Sequence, residues 1–314
     1  MTQFAKPVLM QKIDPDGISG GLPGAAERAS VRGPAFAEMV DLRELLNSEK
    51  AVDQRRGMEL LEKAYAIYDK CFPDPTEKES MDVLLGYLKD TEEMNWHMHV
   101  ALDADGRVVA GRNINVLSAE TPKGQFDYAF GEHLFVEPDK REAGVGSALV
   151  KASNRAVGVG MVFSEQNDPF IMTPGEIATD CTGGIHPVQR LEFWGKQNYA
   201  ALDAPYVQLS LMIDGVQQEP VSYLRPCAEV IHPDRIPGYD GKSMDRDVYL
   251  AALTAFFETF EGLDLSKDGP WAVLKRQIEQ GPERLNFIPI ADKRTFAQDR
   301  NAIDSAFVPG KAAE

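Results

Sequence analysis

The strongest constraint in this chain is the stretch from Leu134 to Leu149, LFVEPDKREAGVGSAL, because it leaves few backbone conformations open. Leu134, Phe135 and Val136 read as the end of a strand, and Val145, Ala148, Leu149, Ala152 and Ala156 recur at the spacing of a helix that faces a sheet. Between them Gly144 and Gly146 stand where a strand-to-helix connection opens the helix. A helix start leaves several backbone N–H groups without intrahelical partners, and the helix dipole places partial positive charge at the same point. Such a start is suited to an anion, and a pyrophosphate would be held there by main-chain donors, with Arg141 adding a charge-assisted contact.

Three other loops share some of these features. A dinucleotide fingerprint GxGxxG needs Gly or Ala where Leu149 stands, and a tight turn directly from the strand, whereas Glu137 to Ala143 intervene. Glu165 does fall near the end of the next strand, where a ribose-binding acid would sit, so that reading stays open. A Walker A loop is excluded, since no Gly-Lys-Ser/Thr follows. A purely structural loop, with glycines serving only a tight connection, also stays open.

The surrounding chain reads as α/β. Leu60, Leu61, Ala64, Ile67, Tyr68 and Cys71 give a helix over residues 56–71, and Met81, Leu84, Leu85 and Leu88 give a second. Residues 96–102 and 107–117 form a hairpin around Asp103-Ala104-Asp105-Gly106. Residues 126–136 form a third strand and 158–163 the strand after the glycine loop; a loop-rich insertion over 166–186 leads into a short helix over 187–197 and a strand over 206–213. Beyond Asp214 the expected elements are a strand over 223–231, a helix carrying Val248, Ala252, Leu253, Phe256, Phe257 and Phe260 on one face, a helix from Pro270, and a strand near 285–290.

With 43% hydrophobic and 26% charged residues the chain can bury a core. No stretch approaches the roughly 20 apolar residues of a membrane span, and the N-terminus lacks a signal-peptide pattern, so no membrane association and a cytoplasmic location are expected. The excess of 49 acidic over 33 basic residues, a formal charge of −16, argues against nucleic acid as a partner and suits amine-bearing substrates as well as plain solubility. Cys71, Cys181 and Cys227 form no CxxC pair and read as buried thiols.

Val136, Pro138, Arg141, Gly144, Gly146 and Leu149 fall in register with motif A of the GNAT (GCN5-related) acyltransferase superfamily, a strand ending Val-x-Pro followed by Arg/Gln-x-x-Gly-x-Gly/Ala and a helix, which this segment resembles. The order of elements is similar too, and Phe193-Trp194-Gly195-Lys196-Gln197-Asn198-Tyr199 resembles the later element Phe-Tyr-x-Lys-x-Gly-Phe. The likeness spans about residues 57–213. It implies a mixed, mostly antiparallel sheet flanked by helices, with an N-terminal extension over 1–56, a core over 57–214, and residues 215–314 as a C-terminal extension or small subdomain packed on it.

The resemblance further implies that an acyl-CoA, most simply acetyl-CoA, lies where the strand ending at Val136 and the strand ending at Phe163 splay apart. The main chain of Leu134, Phe135 and Val136 would pair with the pantetheine arm, and Glu142, Ala143, Gly144, Val145, Gly146 and Ser147 with the pyrophosphate. The acceptor would be a primary amine of a small molecule or peptide, attacking the thioester directly. A base is then needed. Glu132 is the first choice, alternating with Phe130 and Leu134 on one face of an apolar strand while His133 takes the other, and Glu165 the second. The family's tyrosine acid is replaced by Trp194; Tyr206 is the remaining candidate, Tyr199 reading as packing. His97 and His99 share a strand face without a third ligand at suggestive spacing, so no metal is expected. Arg190 and His186 border the short helix in a solvated or salt-bridged role, and the insertion before it reads as a substrate lid or a surface loop. A homodimer is compatible with all of this. The rival readings are an acyl-CoA-binding module without turnover, or altered thioester chemistry such as decarboxylation or a carrier-protein thioester.

Overall fold

The alternation of large apolar side chains over residues 96–136 builds the long central strands of a mixed sheet. The computed structural model describes residues 35–73, 78–90, 92, 94–180, 185–209, 212–213, 216–260, 263–292 and 300–307. Strand β1 (Glu38–Asp41) leads into helices α1 (Leu42–Leu46), α2 (Ala51–Cys71) and α3 (Met81–Lys89). Strands β2 (Trp96–Leu102), β3 (Val108–Thr121) and β4 (Gly124–Val136) follow, then α4 (Val145–Ala156), β5 (Met161–Asn167), α5 (Pro174–Asp180), α6 (Pro187–Lys196) and β6 (Ala200–Leu202). A short hairpin, β7 (Met212–Ile213) and β8 (Val216–Gln217), precedes β9 (Leu224–Val230), β10 (Ser243–Asp245), α7 (Arg246–Ala255), α8 (Gly269–Gln280), β11 (Arg284–Pro289) and α9 (Arg300–Ala306).

Local chemistry explains several boundaries. Helix α2 buries Leu60, Leu61, Ala64, Ile67, Tyr68 and Cys71, as their spacing requires, and ends before Pro73. Ser80 Oγ accepts from the Val83 N–H at the start of α3, and Asp268 Oδ1 from the Trp271 N–H at the start of α8. In the β2–β3 turn Asp103 Oδ1 accepts from the N–H groups of Asp105 and Arg107, and Gly106 takes a φ of 75°.

The sheet order is β1-β2-β3-β4-β5-β9-β6-β11-β10. Every neighbouring pair is antiparallel except β4 and β5, which α4 connects as a crossover. The fold is therefore α/β with a mostly antiparallel sheet. One face packs against α2, α3, α7 and α8 through Leu61, Tyr68, Leu84, Phe130, Phe163 and Trp271. The other packs against α4 and α6 through Ala129, Leu134, Leu149, Val162, Leu191 and Trp194. Among the described residues no helix is long and apolar enough to cross a membrane.

The divisions drawn at residues 57 and 214 do not coincide with breaks in the sheet. Strand β1 pairs with β2 at one edge, and β9 lies between β5 and β6, so residues on both sides of each division share one sheet. The strand expected over 206–213 is reduced to a bridge between Gln208 and Val221 and the two residues of β7. The sheet strand after α6 is instead β6, and Pro205, which lacks an N–H for a ladder, follows it. Strand β5 is displaced toward the C-terminus: Gly158 turns the chain at φ 65°, and β9 supplies partners for Ser164 to Asn167, polar residues whose composition reads as loop.

Candidate functional site

Strands β4 and β5 pair only at Ala129↔Val162 and Phe130↔Phe163. Beyond Phe130, β4 stays with β3 as far as Val136; beyond Phe163, β5 stays with β9 as far as Asn167. The two strands thus part like a fork, each held on its outer edge. The cause lies in the β3–β4 register, which shifts between Arg112 and Ile114: Ile114 faces Gly131 while Arg112 faces Leu134. Asn113 therefore opposes both Glu132 and His133, and such a bulge bends the strand and increases its twist.

The bulge also corrects the expected facing of β4. Phe130 belongs to the core on the α2 and α7 side, Leu134 to the core on the α4 side. Glu132 keeps the orientation of Phe130, since Trp96 Nε1, from the same core, donates to Glu132 Oε1 at 2.8 Å. His133 joins it on that face, edge-on to Tyr68 and Phe72 at ring separations of 5.2 and 4.8 Å. The Tyr68 hydroxyl donates to Glu79 Oε2 at 2.8 Å, and both residues are buried. Burial first, then the Glu79 carboxylate, pushes the Tyr68 hydroxyl well above its ordinary value. Glu79 carried no signal in sequence, because it stands alone before α3.

At the open end of the fork the chain turns through Pro138–Lys140, and Glu142 and Gly144 take φ of 67° and 80° before α4 begins. Gly144 is the N-cap, no side chain caps the helix, and the first turn holds no acidic residue. The N–H groups of Val145, Gly146 and Ser147 thus stand at an uncapped helix start. A Cβ on Gly146 would come within 3.3 Å of Val136 Cγ2, so this glycine serves the close approach of α4 to β4 rather than clearance for a ligand. Arg141 also differs from expectation. Its Nε donates to the Val136 carbonyl at 3.2 Å and its Nη2 to Cys71 Sγ at 3.4 Å, so the side chain braces β4 against α2 instead of standing free for an anion. Ser147 Oγ accepts from Gln197 Nε2 at 3.0 Å, linking α4 to the end of α6.

Two of the residues singled out in sequence meet. Tyr206, in the chain after β6, donates from its hydroxyl to Glu165 Oε2 at 2.5 Å. Glu165 is not at a loop mouth but inside β5, 6% exposed, past the last pair that joins β5 to β4. Burial pushes its carboxyl up from an ordinary 4.5 to about 7, against the opposing pull of the Tyr206 hydroxyl. Tyr206 also lines a narrow apolar pocket, shared with Phe130, Phe163, Tyr249 and Phe256. Helix α7 and Phe256, the residue that follows it, close the pocket: the Tyr128 hydroxyl donates to the Ala252 carbonyl at 2.6 Å, and Phe256 stacks on Phe130 at 4.2 Å.

Arg112, on the opposite face, was not anticipated. It is 1% exposed, lies over the Trp194 ring, and donates from Nη2 to the Tyr199 hydroxyl at 2.8 Å. A Cβ on Gly131, the first β4 residue past the pairing, would meet Arg112 Nη2 at 2.6 Å and the Phe163 carbonyl at 3.6 Å. The guanidinium therefore lies where the strands part, and glycine is what admits it. Among the described residues Arg112 Nη1 and Trp194 Nε1 are both buried donors without a hydrogen-bond partner. The signal for Arg112 was present in sequence: an arginine inside the run VVAGRNINV. Asn198, at the glycine position of the later motif, takes φ 66°, a conformation asparagine tolerates better than most residues.

Arg190 is 2% exposed and ion-paired with Asp180, whose other oxygen accepts from Asn167 Nδ2 at 2.7 Å; it is a buried brace, not a solvated one. His186 caps α6, its Nδ1 accepting from the Val188 N–H. The insertion is tied down by the buried pair of Asp168 with Arg225 and by Glu176 with Arg300. Cys71 and Cys227 are buried free thiols, while Cys181 and Gly183 lie outside the described residues.

No protein-family model and no curated protein matches the sequence. Solved structures do. An aminoglycoside acetyltransferase from an uncultured soil metagenomic sample is 20% identical over 38% of this chain and 69% of its own, with a TM-score of 0.28. Tetrahymena GCN5 is 14% identical over 63% of this chain and 98% of its own, at 0.35, and the Escherichia coli ribosomal-protein-S18-alanine N-acetyltransferase 12% over 62% and 95%, at 0.30. The chain resembles acetyltransferases.

Proposed function

We propose that the chain is an acyl-CoA-dependent N-acyltransferase, moving an acyl group, most simply acetyl, to a primary amine of a small molecule or peptide. The observation that carries this reading is the fork, which ends its strand pairing at Phe130↔Phe163 and has an uncapped helix start at its open end. The pyrophosphate of CoA suits the N–H groups of residues 142–147. The pantetheine arm, a chain of amide groups, suits the unpaired β4 edge from Gly131 to Val136 and two buried donors that lack partners, Arg112 Nη1 and Trp194 Nε1.

In the chemistry proposed, the amine nitrogen attacks the thioester carbon, the C–S bond breaks, and the amine proton must reach a base. Glu165, with a carboxyl poised near neutrality, is assigned that role. The Tyr206 hydroxyl, hydrogen-bonded to it, passes a proton to the departing sulfur and is reprotonated from Glu165. A β4 main-chain N–H at the fork polarises the carbonyl. Glu132, held by Trp96, positions the acceptor rather than taking its proton.

Two measurements test this. Titration of acetyl-CoA into the full chain by calorimetry is expected to give one site, and thiol release across a panel of amines is expected to identify an acceptor. Binding without thiol release for any amine, and equal background rates in wild type and Glu165→Gln, would reduce the protein to an acyl-CoA-binding module. Absence of binding would remove the reading altogether.

A further inference from the structure

Away from the fork, the far edge of the sheet brings together three groups that sequence spacing kept apart. Asp41 ends β1 and stands opposite His99 in the β1–β2 register, 56 residues before His97. Asp41 Oδ2 lies 2.7 Å from His97 Nδ1 and 3.6 Å from His99 Nε2, and the three ligand atoms all fall within 4.8 Å of one another. The two imidazoles stack at 5.7 Å.

Each group is held by a second partner on its outer side. His99 Nδ1 is 2.6 Å from Ser153 Oγ on α4, and His97 Nε2 is 2.9 Å from Asn95 Oδ1. Asp41 Oδ1 accepts from the Arg43 N–H at the start of α1. Each imidazole therefore turns one nitrogen toward Asp41 Oδ2 and has its other nitrogen held on the outer side. At 3.6 Å His99 Nε2 stands beyond hydrogen-bond reach of Asp41 Oδ2, whereas a cation set between the three ligand atoms meets all of them.

We infer that Asp41, His97 and His99 form a site for a borderline divalent cation of the zinc class. Two imidazoles and one carboxylate are a donor set suited to Zn²⁺ or Co²⁺ and unsuited to Mg²⁺ or Ca²⁺, which favour oxygen alone. Metal–ligand bonds of about 2.0–2.1 Å at tetrahedral angles separate ligand atoms by roughly 3.3 Å, between the two Asp41–histidine separations, and with the three atoms within 4.8 Å of one another loading draws the two imidazoles together around the ion. The Ser153 and Asn95 contacts are the outer hydrogen bonds that orient ligating histidines. Side-chain exposure of 13% at Asp41 and 18% at His97, against 2% at His99, leaves one side through which an ion and a fourth water ligand can enter. The ion would tie the edge strand β1 and the start of α1 to β2 and, through Ser153, to the back of α4. This site is independent of the acyltransfer reading, since it lies at the β1–β2 edge and beside the C-terminal half of α4.

The test uses the full chain, stripped with chelator, and Co²⁺ as a spectroscopic probe. Wild type is expected to take up one equivalent with d–d absorption and no thiolate charge-transfer band, to bind Zn²⁺ competitively, and to gain melting temperature with either ion. His97→Ala and the more conservative His97→Gln are expected to weaken binding at least tenfold while keeping the far-UV circular dichroism of wild type, and Ser153→Ala to weaken it by a smaller factor. No uptake by wild type, or uptake unchanged in both His97 variants, would show that the cluster is an ion pair only and overturn the site.

Discussion

Replacing Glu165 with Gln isolates one buried titration. The wild-type carboxyl is displaced from 4.5 to about 7 because burial penalises its ionised form, with the Tyr206 hydroxyl pulling the other way. A carboxyl whose folded pKa is raised binds its proton more tightly in the native state. Its contribution to stability is therefore fully present below pH 4.5 and lost as pH rises through 7. A displacement of about 2.5 units, at about 1.36 kcal/mol per unit, amounts to about 3 kcal/mol. Gln cannot ionise, yet its Oε1 still accepts the Tyr206 hydroxyl. Glu165→Gln is thus expected to match wild type within about 1 kcal/mol at pH 4.5 and to exceed it by about 2–3 kcal/mol at pH 8, since all other titrations are common to both chains and cancel. Urea unfolding of both proteins at a series of pH values measures this directly. A stability difference that stays constant across that range would show that the carboxyl is not displaced, and with it would go the case for a base poised near neutrality.

Three further outcomes follow from the same geometry. Tyr206→Phe removes the hydrogen bond that holds the Glu165 carboxyl down, so the midpoint of the pH–rate profile is expected to move above 7 and kcat to fall about tenfold; an unmoved midpoint would separate the two residues. Arg112→Met replaces a buried cation by an apolar chain of similar length, which leaves stability unchanged or raised, while the lost donor weakens acetyl-CoA binding about tenfold by calorimetry. Gly146→Val drives a branched side chain into Val136, expected to cost about 1–3 kcal/mol in chemical denaturation and to lower acetyl-CoA affinity by lifting the first turn of α4 from the fork.

The core elements were legible where one chemical pattern sufficed. The helical spacing in α2, the Asp-Gly turn between β2 and β3, and the glycine start of α4 each fixed an element within a few residues. What sequence could not supply depended on partners distant in the chain. Ser164 to Asn167 form strand because β9 lies beside them, and nothing in their own composition says so. The bulge at Glu132 and His133 is a relation between two strands, and it reverses the alternation that placed Leu134 beside Glu132. The pairing of Glu165 with Tyr206 joins two positions weighed singly in sequence, while Asp41 reaches His97 and His99 only because β1 closes the sheet edge.

The strand order explains why the fork needs strand β9 as well as β3. A parallel pair that parts after two residues would close or fray unless each strand were held on its other edge. Strand β4 is held by β3, from the segment that resembles motif A and its neighbours; β5 is held along all of its length by β9, from beyond residue 214. Helix α7, from the same later segment, then covers the apolar pocket beneath Phe130 and Phe163, where the Tyr206 ring also lies. Strand β9 and helix α7 are therefore one wall and the floor of the candidate site. Burial of Glu165 within β5 is what raises its carboxyl into the range where a base can act at neutral pH.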